Sequence, residues 1–256
     1  MSTRRLLSPL KLAPFLAHLS LPRPVPAVLS RSELAPLSAL SWFSASAVTF
    51  PATPESIVVS LESHSPPPFE RITAPLAFFE AYLRLRPPAA ELDLYLAQET
   101  PPAAFLPHLT PPSFLASSRI TQSSLWIGLA PTLSPLHQDP DSNVLYQLAG
   151  IKLVRLLDPV RGKAVLDQVR GTDQGSRLRG EEMMSGEAGG ERDRLERVVW
   201  DNSHDHDGLL EAKIEPGEAL FIPKGWWHAV RGVNPDDSNS SESPRPVTAS
   251  VNWWFR

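Results

Sequence analysis

The sequence predicts a mainly β protein, in which short strands are joined by turns and helical elements come from the N-terminal part. Two observations carry this. The chain has 28 prolines in 256 residues, about twice ordinary usage, which disfavours long helices and favours turns. Three segments, residues 92–98, 151–157 and 247–255, alternate side chains with the period of a strand.

Composition narrows the function classes. Apolar residues make up 42%, enough for a substantial core, and the length fits one large domain. The expected organisation is a single domain over residues 1–256. It comprises a helical and strand-containing portion over 1–90 and polar inserts at about 160–206 and 234–246. A formal charge of −4 gives no general basic field for nucleic acid. Cysteine is absent, which excludes disulfides and thiolate metal sites and fits a reducing interior, cytoplasmic or nuclear. No run of 18 apolar residues predicts a membrane-spanning helix.

Taken in order, residues 1–21 carry Arg4, Arg5 and Lys11 and no acidic residue. They read as a leading helix with an apolar stripe of Leu10, Leu12, Phe15, Leu16 and Leu19; a mitochondrial presequence is the alternative. Residues 24–30 read as an early strand and Ile57–Leu61 as another, with Ser65–Pro68 a loop. Pro75–Leu85 reads as a helix, with proline in its first turn and Leu76, Phe79 and Leu83 at helical spacing; Pro87 and Pro88 end it. Leu92–Gln98 is a strand, and residues 100–119 are proline-rich and turn-like. Residues 160–212 contain few large apolar side chains and read as a long insert or loop. Asn234–Pro246, rich in serine, aspartate and proline, reads as a surface loop.

The chemistry centres on Leu136-His137-Gln138-Asp139-Pro140. On a strand, residues two apart share a face, so the His137 imidazole and the Asp139 carboxylate converge. Such a pair is two thirds of the two-histidine, one-carboxylate triad that holds non-haem iron, although it also occurs in surface turns. Glu215–His228 reads as turn, short apolar strand, turn and histidine, and it can bring His228 to the same point. In the strand 151–157, Lys152 shares a face with Val154 and Leu156. A lysine there is costly unless it meets an anion or reaches the rim. An iron site beside a buried lysine suggests a dicarboxylate cosubstrate, 2-oxoglutarate. On the final strand Thr248, Ser250, Asn252 and Trp254 form a small polar face suited to a pocket wall. A second His-x-Asp run, His204-Asp205-His206-Asp207, lies in a polar context and reads as a decoy.

These residues resemble the JmjC-domain oxygenases. The resemblance rests on Leu125-Trp126-Ile127-Gly128, Thr132–Pro140, Asn143, Gln147, Gly150, Lys152 and Leu156. It extends through Pro216-Gly217-Glu218, Phe221-Ile222-Pro223, Trp227-His228 and Ser250–Trp254. The chain looks most like the small JmjC-only hydroxylases, the cupin-8-like proteins. The resemblance implies a double-stranded β-helix of the jelly-roll (cupin) type. It also implies Fe(II) held by His137, Asp139 and His228, with 2-oxoglutarate and O₂ as cosubstrates. Lys152 would anchor the distal carboxylate. Tyr95, within a Tyr-Leu-Ala-Gln segment, and Thr132, Ser134 and Asn143 match positions that hydrogen-bond the cosubstrate or trim its pocket, with Asn252 on the pocket wall. Trp126 is expected to shape the core rather than touch ligand.

The function expected is hydroxylation of a side chain on a protein or peptide substrate. Lysine demethylation and tRNA-base hydroxylation are alternatives within the family, the latter disfavoured by the acidic balance. A non-enzymatic cupin-like module that binds a metal or a peptide is the alternative from another class.

Overall fold

The computed structural model describes residues 5–44, 47–51, 56–65, 70–170, 189–201, 208–234 and 244–256. The chain opens with a two-residue strand, β1 (Arg5–Leu6), a helix, α1 (Leu12–Leu19), and β2 (Ala27–Leu29). Next come β3 (Val58–Ser65), β4 (Glu70–Pro75), α2 (Leu76–Leu85) and β5 (Asp93–Glu99). Four consecutive strands follow: β6 (Ile120–Leu129), β7 (Thr132–Gln138), β8 (Ser142–Ala149) and β9 (Ile151–Leu157). Two helices, α3 (Pro159–Arg170) and α4 (Gly189–Trp200), precede β10 (Leu210–Ile214), β11 (Ala219–Ile222), β12 (Trp227–Val233) and β13 (Val247–Phe255).

The strands form two facing sheets, a jelly roll. The minor sheet runs β1-β10-β9-β12-β7 and the major sheet β2-β11-β8-β13-β6-β5-β3-β4. Pairing is antiparallel except between β1 and β10. Apolar side chains from both sheets meet between them, Leu145 and Ile222 from the major sheet against Val154, Leu156 and Val230 from the minor. The outer face of the major sheet is covered by the N-terminal helices. There Phe15 of α1 is fully buried, edge-on to Phe114 and Phe221 at 5.2 and 6.3 Å between ring centroids. In α2 the expected stripe of Leu76, Phe79 and Leu83 is buried, joined by Tyr82. Burial stabilises by roughly 1.5–3 kcal/mol for each large apolar side chain. The helix stops at Arg86, which takes left-handed backbone (φ 50°) ahead of Pro87.

Three expectations change. The N-terminal helix is shorter than residues 1–21 and follows a strand, and Leu16 is 39% exposed instead of joining the buried stripe. The 160–206 insert is not a plain loop at its described ends: residues 159–170 and 189–200 are helical. Val165 and Val169, and Leu195 and Val199, recur at i,i+4 and pack on the outer face of the minor sheet against Leu136, Leu157 and Ala229. Their few apolar residues suffice because that sheet face is itself apolar. The end of the 160–212 stretch is strand β10. The centre of the insert and the decoy histidines, His204 and His206, lie outside the described residues, as does most of the 234–246 loop.

Candidate metal centre

β7 and β12 lie side by side, with His228 directly opposite His137. Between His228 and Val230 the register slips, so that two steps on β12 match three on β7, from His137 to Ser134. This is a β-bulge, and it falls at Pro135, which has no N–H to lose from the ladder. The bulge turns both Ser134 and His137 into the same cavity although they are three apart. It also frees the Pro135 carbonyl to accept a hydrogen bond from His137 Nδ1 at 2.8 Å.

His228 is held in a similar way. The turn Pro223-Lys224-Gly225-Trp226 is closed by Trp226 N–H donating to the Pro223 carbonyl, with Gly225 at φ 88°, a backbone that only glycine adopts readily. The Trp226 carbonyl lies 3.4 Å from His228 Nδ1. With both Nδ1–H groups aimed at carbonyls, each Nε2 is left as the lone-pair nitrogen facing inward. One potential ligand atom each from His137, Asp139 and His228 lies within 4.8 Å of the others. His228 Nε2 stands 3.5 Å from Asp139 Oδ2, and His137 Nε2 stands 4.0 Å from Oδ1. Burial first, and then the neighbouring His137, push the His228 imidazole well below its ordinary range, so it is neutral, the form that ligates metal. Two imidazole nitrogens and one carboxylate oxygen suit a divalent transition metal with positions left open, and the donor set fits Fe(II).

Across the cavity Lys152 is 2% exposed. It donates to Ser250 Oγ at 2.6 Å, and among the described residues no carboxylate forms an ion pair with it. Burial lowers its pKa to about 7. From Ser250 a line of donors runs back to the metal site. Ser250 Oγ donates to Asn252 Oδ1 at 3.5 Å, Asn252 Nδ2 to Asn143 Oδ1 at 3.2 Å, and Asn143 Nδ2 to Asp139 Oδ2 at 3.1 Å. Each amide in the line both donates and accepts, so its orientation is fixed. A buried ammonium resting on one hydroxyl, beside a tripod of metal donors, fits a ligand that brings an anionic group to Lys152.

Tyr95, Ser134, Asn143, Lys152 and Asn252 all line this cavity together with the three metal donors. The Tyr95 phenol is pushed up in pKa, chiefly by burial and then by nearby Glu62, so it stays a hydrogen-bond donor; Ser134 and Thr132 are its partners. Thr132 is not among the lining residues; it stands behind Tyr95, to which it hydrogen-bonds. Gly128 makes room for that ring: a Cβ there would lie 2.8 Å from Tyr95 Cδ2. Trp126 corrects the expectation. Leu125, Ile127 and Leu129 take the core face of β6, so alternation sends Trp126 to the opposite face, beside Ser250, where it lines the cavity. Ser250 and Trp254 belong to the site as well; the polar face of the last strand was the signal for both. Leu145, Ile222 and Val230 supply the apolar wall. The cavity is narrow, about 20 Å³.

A jelly roll with two histidines, one aspartate and a buried lysine opening on one cavity is a barrel of the cupin type with a candidate metal site. The chain belongs to the cupin-like domain family, matched over residues 77–256, and to its JmjC-domain branch. The JmjC family generally uses Fe(II) and 2-oxoglutarate, and its members of known activity are oxygenases. Among curated proteins the chain is similar to lysine-specific demethylase JMJ30 of Arabidopsis thaliana. The two are 26% identical over 142 residues, 56% of this chain and 28% of that one. It is 32% identical to lysine-specific demethylase 8 of Xenopus tropicalis over 130 residues, 51% of this chain and 24% of the other. With Jumonji C domain-containing protein 5 of Drosophila melanogaster the identity is 30% over 122 residues, 45% and 26% of the respective chains. The matched region thus spans about a quarter of each relative's length.

Proposed function

We propose that this protein is an Fe(II)- and 2-oxoglutarate-dependent dioxygenase that hydroxylates a side chain of a protein substrate inside the cell. The observation that carries the proposal is the hydrogen-bonded line from Lys152 through Ser250, Asn252 and Asn143 to Asp139, which joins a buried cation to a metal ligand within one cavity. His137 and His228 would hold the metal through Nε2, their tautomers set by the Pro135 and Trp226 carbonyls. Asp139 would supply one carboxylate oxygen, its other held by Asn143. Iron and 2-oxoglutarate, when bound, would supply with O₂ the oxidising chemistry, in which one oxygen atom enters succinate as CO₂ is lost and the other oxidises a substrate carbon.

The chain's own residues bind, orient and exclude water. Lys152 takes the distal carboxylate and regains the charge partner that burial denies it. Tyr95, Ser134, Asn143 and Asn252 provide hydrogen bonds along the cosubstrate, and Thr132 keeps the Tyr95 hydroxyl in place. Leu145, Ile222 and Val230 keep the cavity wall dry. Two similar proteins are named lysine-specific demethylases, which favours a second reading, removal of a methyl group from lysine by the same oxidation.

Mass spectrometry of candidate proteins treated with the enzyme, Fe(II), 2-oxoglutarate and O₂ distinguishes the two readings. Hydroxylation adds the mass of one oxygen and demethylation removes that of one CH₂. Neither change should occur with Asp139→Ala, and a change equal to that of wild type would remove the metal assignment.

A further inference from the structure

Two tryptophans, Trp126 and Trp254, line the metal cavity, and the strand registers put them at opposite ends of it. The line of hydrogen bonds gives the cavity its direction, from Lys152 through Ser250, Asn252 and Asn143 to Asp139. Trp126 on β6 lies directly opposite Ser250 on β13, the hydroxyl that Lys152 contacts. Residues paired in this way have Cβ atoms roughly 4.5–5.5 Å apart. Trp254 pairs with Asn143, which holds Asp139. Trp126 therefore stands at the lysine end and Trp254 at the metal end.

At the lysine end Trp126 is a wall. Its ring centroid lies 6.1 Å from that of Tyr95, with the planes tilted by 46°, and Tyr95 is tied in turn to Ser134 and Thr132. Trp126 Nε1 makes no hydrogen bond among the described residues, so the indole contributes bulk and no bond to the polar line. Leu145, Ile222 and Val230 add apolar wall. A dicarboxylate bound at both ends is fixed at the metal and at Lys152. A chain one methylene longer between the same two points has to bow sideways into the walls. A surplus methylene in a fitted apolar pocket costs roughly 10- to 200-fold in binding. Bulk beside Lys152 then decides which length is admitted.

We infer that Trp126 sets the length of the cosubstrate, admitting 2-oxoglutarate and rejecting the 2-oxo dicarboxylate one methylene longer. The inference rests on the oxygenase reading of the same cavity.

The test is calorimetric titration of the full chain, loaded with redox-inert Mn(II), with 2-oxoglutarate and with 2-oxoadipate, so that binding is read without turnover. Wild type should bind 2-oxoglutarate at least tenfold more tightly. Trp126→Ala should shrink that preference at least tenfold, chiefly by gaining affinity for 2-oxoadipate. Trp126→Leu, a smaller step for the fold, should shrink it in the same direction, so that the ratio is read even if the alanine variant does not fold. Trp254→Ala, which leaves the lysine end walled, should keep the preference. Failure of wild type to bind either acid would overturn the oxygenase reading and the inference with it. Equal binding of the two acids by wild type, an unchanged preference in the Trp126 variants, or the same relaxation in Trp254→Ala would overturn the inference alone.

Discussion

Replacing Lys152 by methionine should stabilise the ligand-free protein while crippling cosubstrate binding. The ammonium is buried at 2% exposure, with the Ser250 hydroxyl at 2.6 Å as its contact, and burial draws its pKa from 10.5 to about 7. At about 1.4 kcal/mol per tenfold change, that displacement is worth roughly 5 kcal/mol. The folded protein holds this proton less tightly than the unfolded chain does. The cost of burial is therefore complete below pH about 7 and fades as the pH rises toward 10.5, where the unfolded lysine also becomes neutral. Methionine has similar length and no charge. Allowing about 1–2 kcal/mol for the lost hydroxyl bond and imperfect packing, the variant should gain roughly 3 kcal/mol at neutral pH, with the gain shrinking as pH rises. The same change removes the charge-assisted bond to the cosubstrate, about 2–3 kcal/mol, which is a loss of roughly 30- to 150-fold in affinity. Calorimetric melting and titration of 2-oxoglutarate in the presence of redox-inert Mn(II) measure both. A variant less stable than wild type, or one with unchanged 2-oxoglutarate affinity, would refute the reasoning.

Three further outcomes follow from the same geometry. Because the ammonium must be present to receive the carboxylate, wild-type affinity for 2-oxoglutarate should fall about tenfold per pH unit above pH about 7; a flat profile up to pH 9 in titration calorimetry would contradict the role given to Lys152. Asn143→Ala breaks the hydrogen-bonded line at both Asp139 and Asn252 and should weaken Mn(II) binding by about 1–2 kcal/mol, read by electron paramagnetic resonance, with the fold intact by circular dichroism. Gly162→Leu should be strongly destabilising and should weaken metal binding, since a Cβ at Gly162 of α3 would lie 2.2 Å from the ring of Trp227, the neighbour of His228; a normal melting temperature would mean that α3 does not dock on the metal-bearing strand.

What the sequence made legible followed from period and chemistry. Residues two apart on a strand share a face, and this placed His137 with Asp139, Lys152 with Val154, and Ser250 with Asn252. The same rule applied to β6 would have turned Trp126 toward the cavity, since Leu125 and Ile127 are the core-facing pair. The bulge at Pro135 was not legible, because a strand pattern carries no mark of the partner's register; without it Ser134 and His137 would face opposite ways. The helices α3 and α4 were obscured by their polarity, with mean apolar content too low to suggest packing until the apolar back of the minor sheet is in view. The carbonyls of Pro135 and Trp226 that orient the histidines belong to the backbone, so no side-chain motif announces them.

The central claim is that His137, Asp139 and His228 hold iron for a reaction that consumes 2-oxoglutarate. Succinate formation followed by NMR tests it most directly, in parallel reactions with wild type, Asp139→Ala, and the double variant His204→Ala/His206→Ala. Wild type and the double variant should release succinate only when Fe(II), 2-oxoglutarate and O₂ are all present, and Asp139→Ala should release none. Succinate from Asp139→Ala at the wild-type rate, or its loss in the His204/His206 variant alone, would contradict the account.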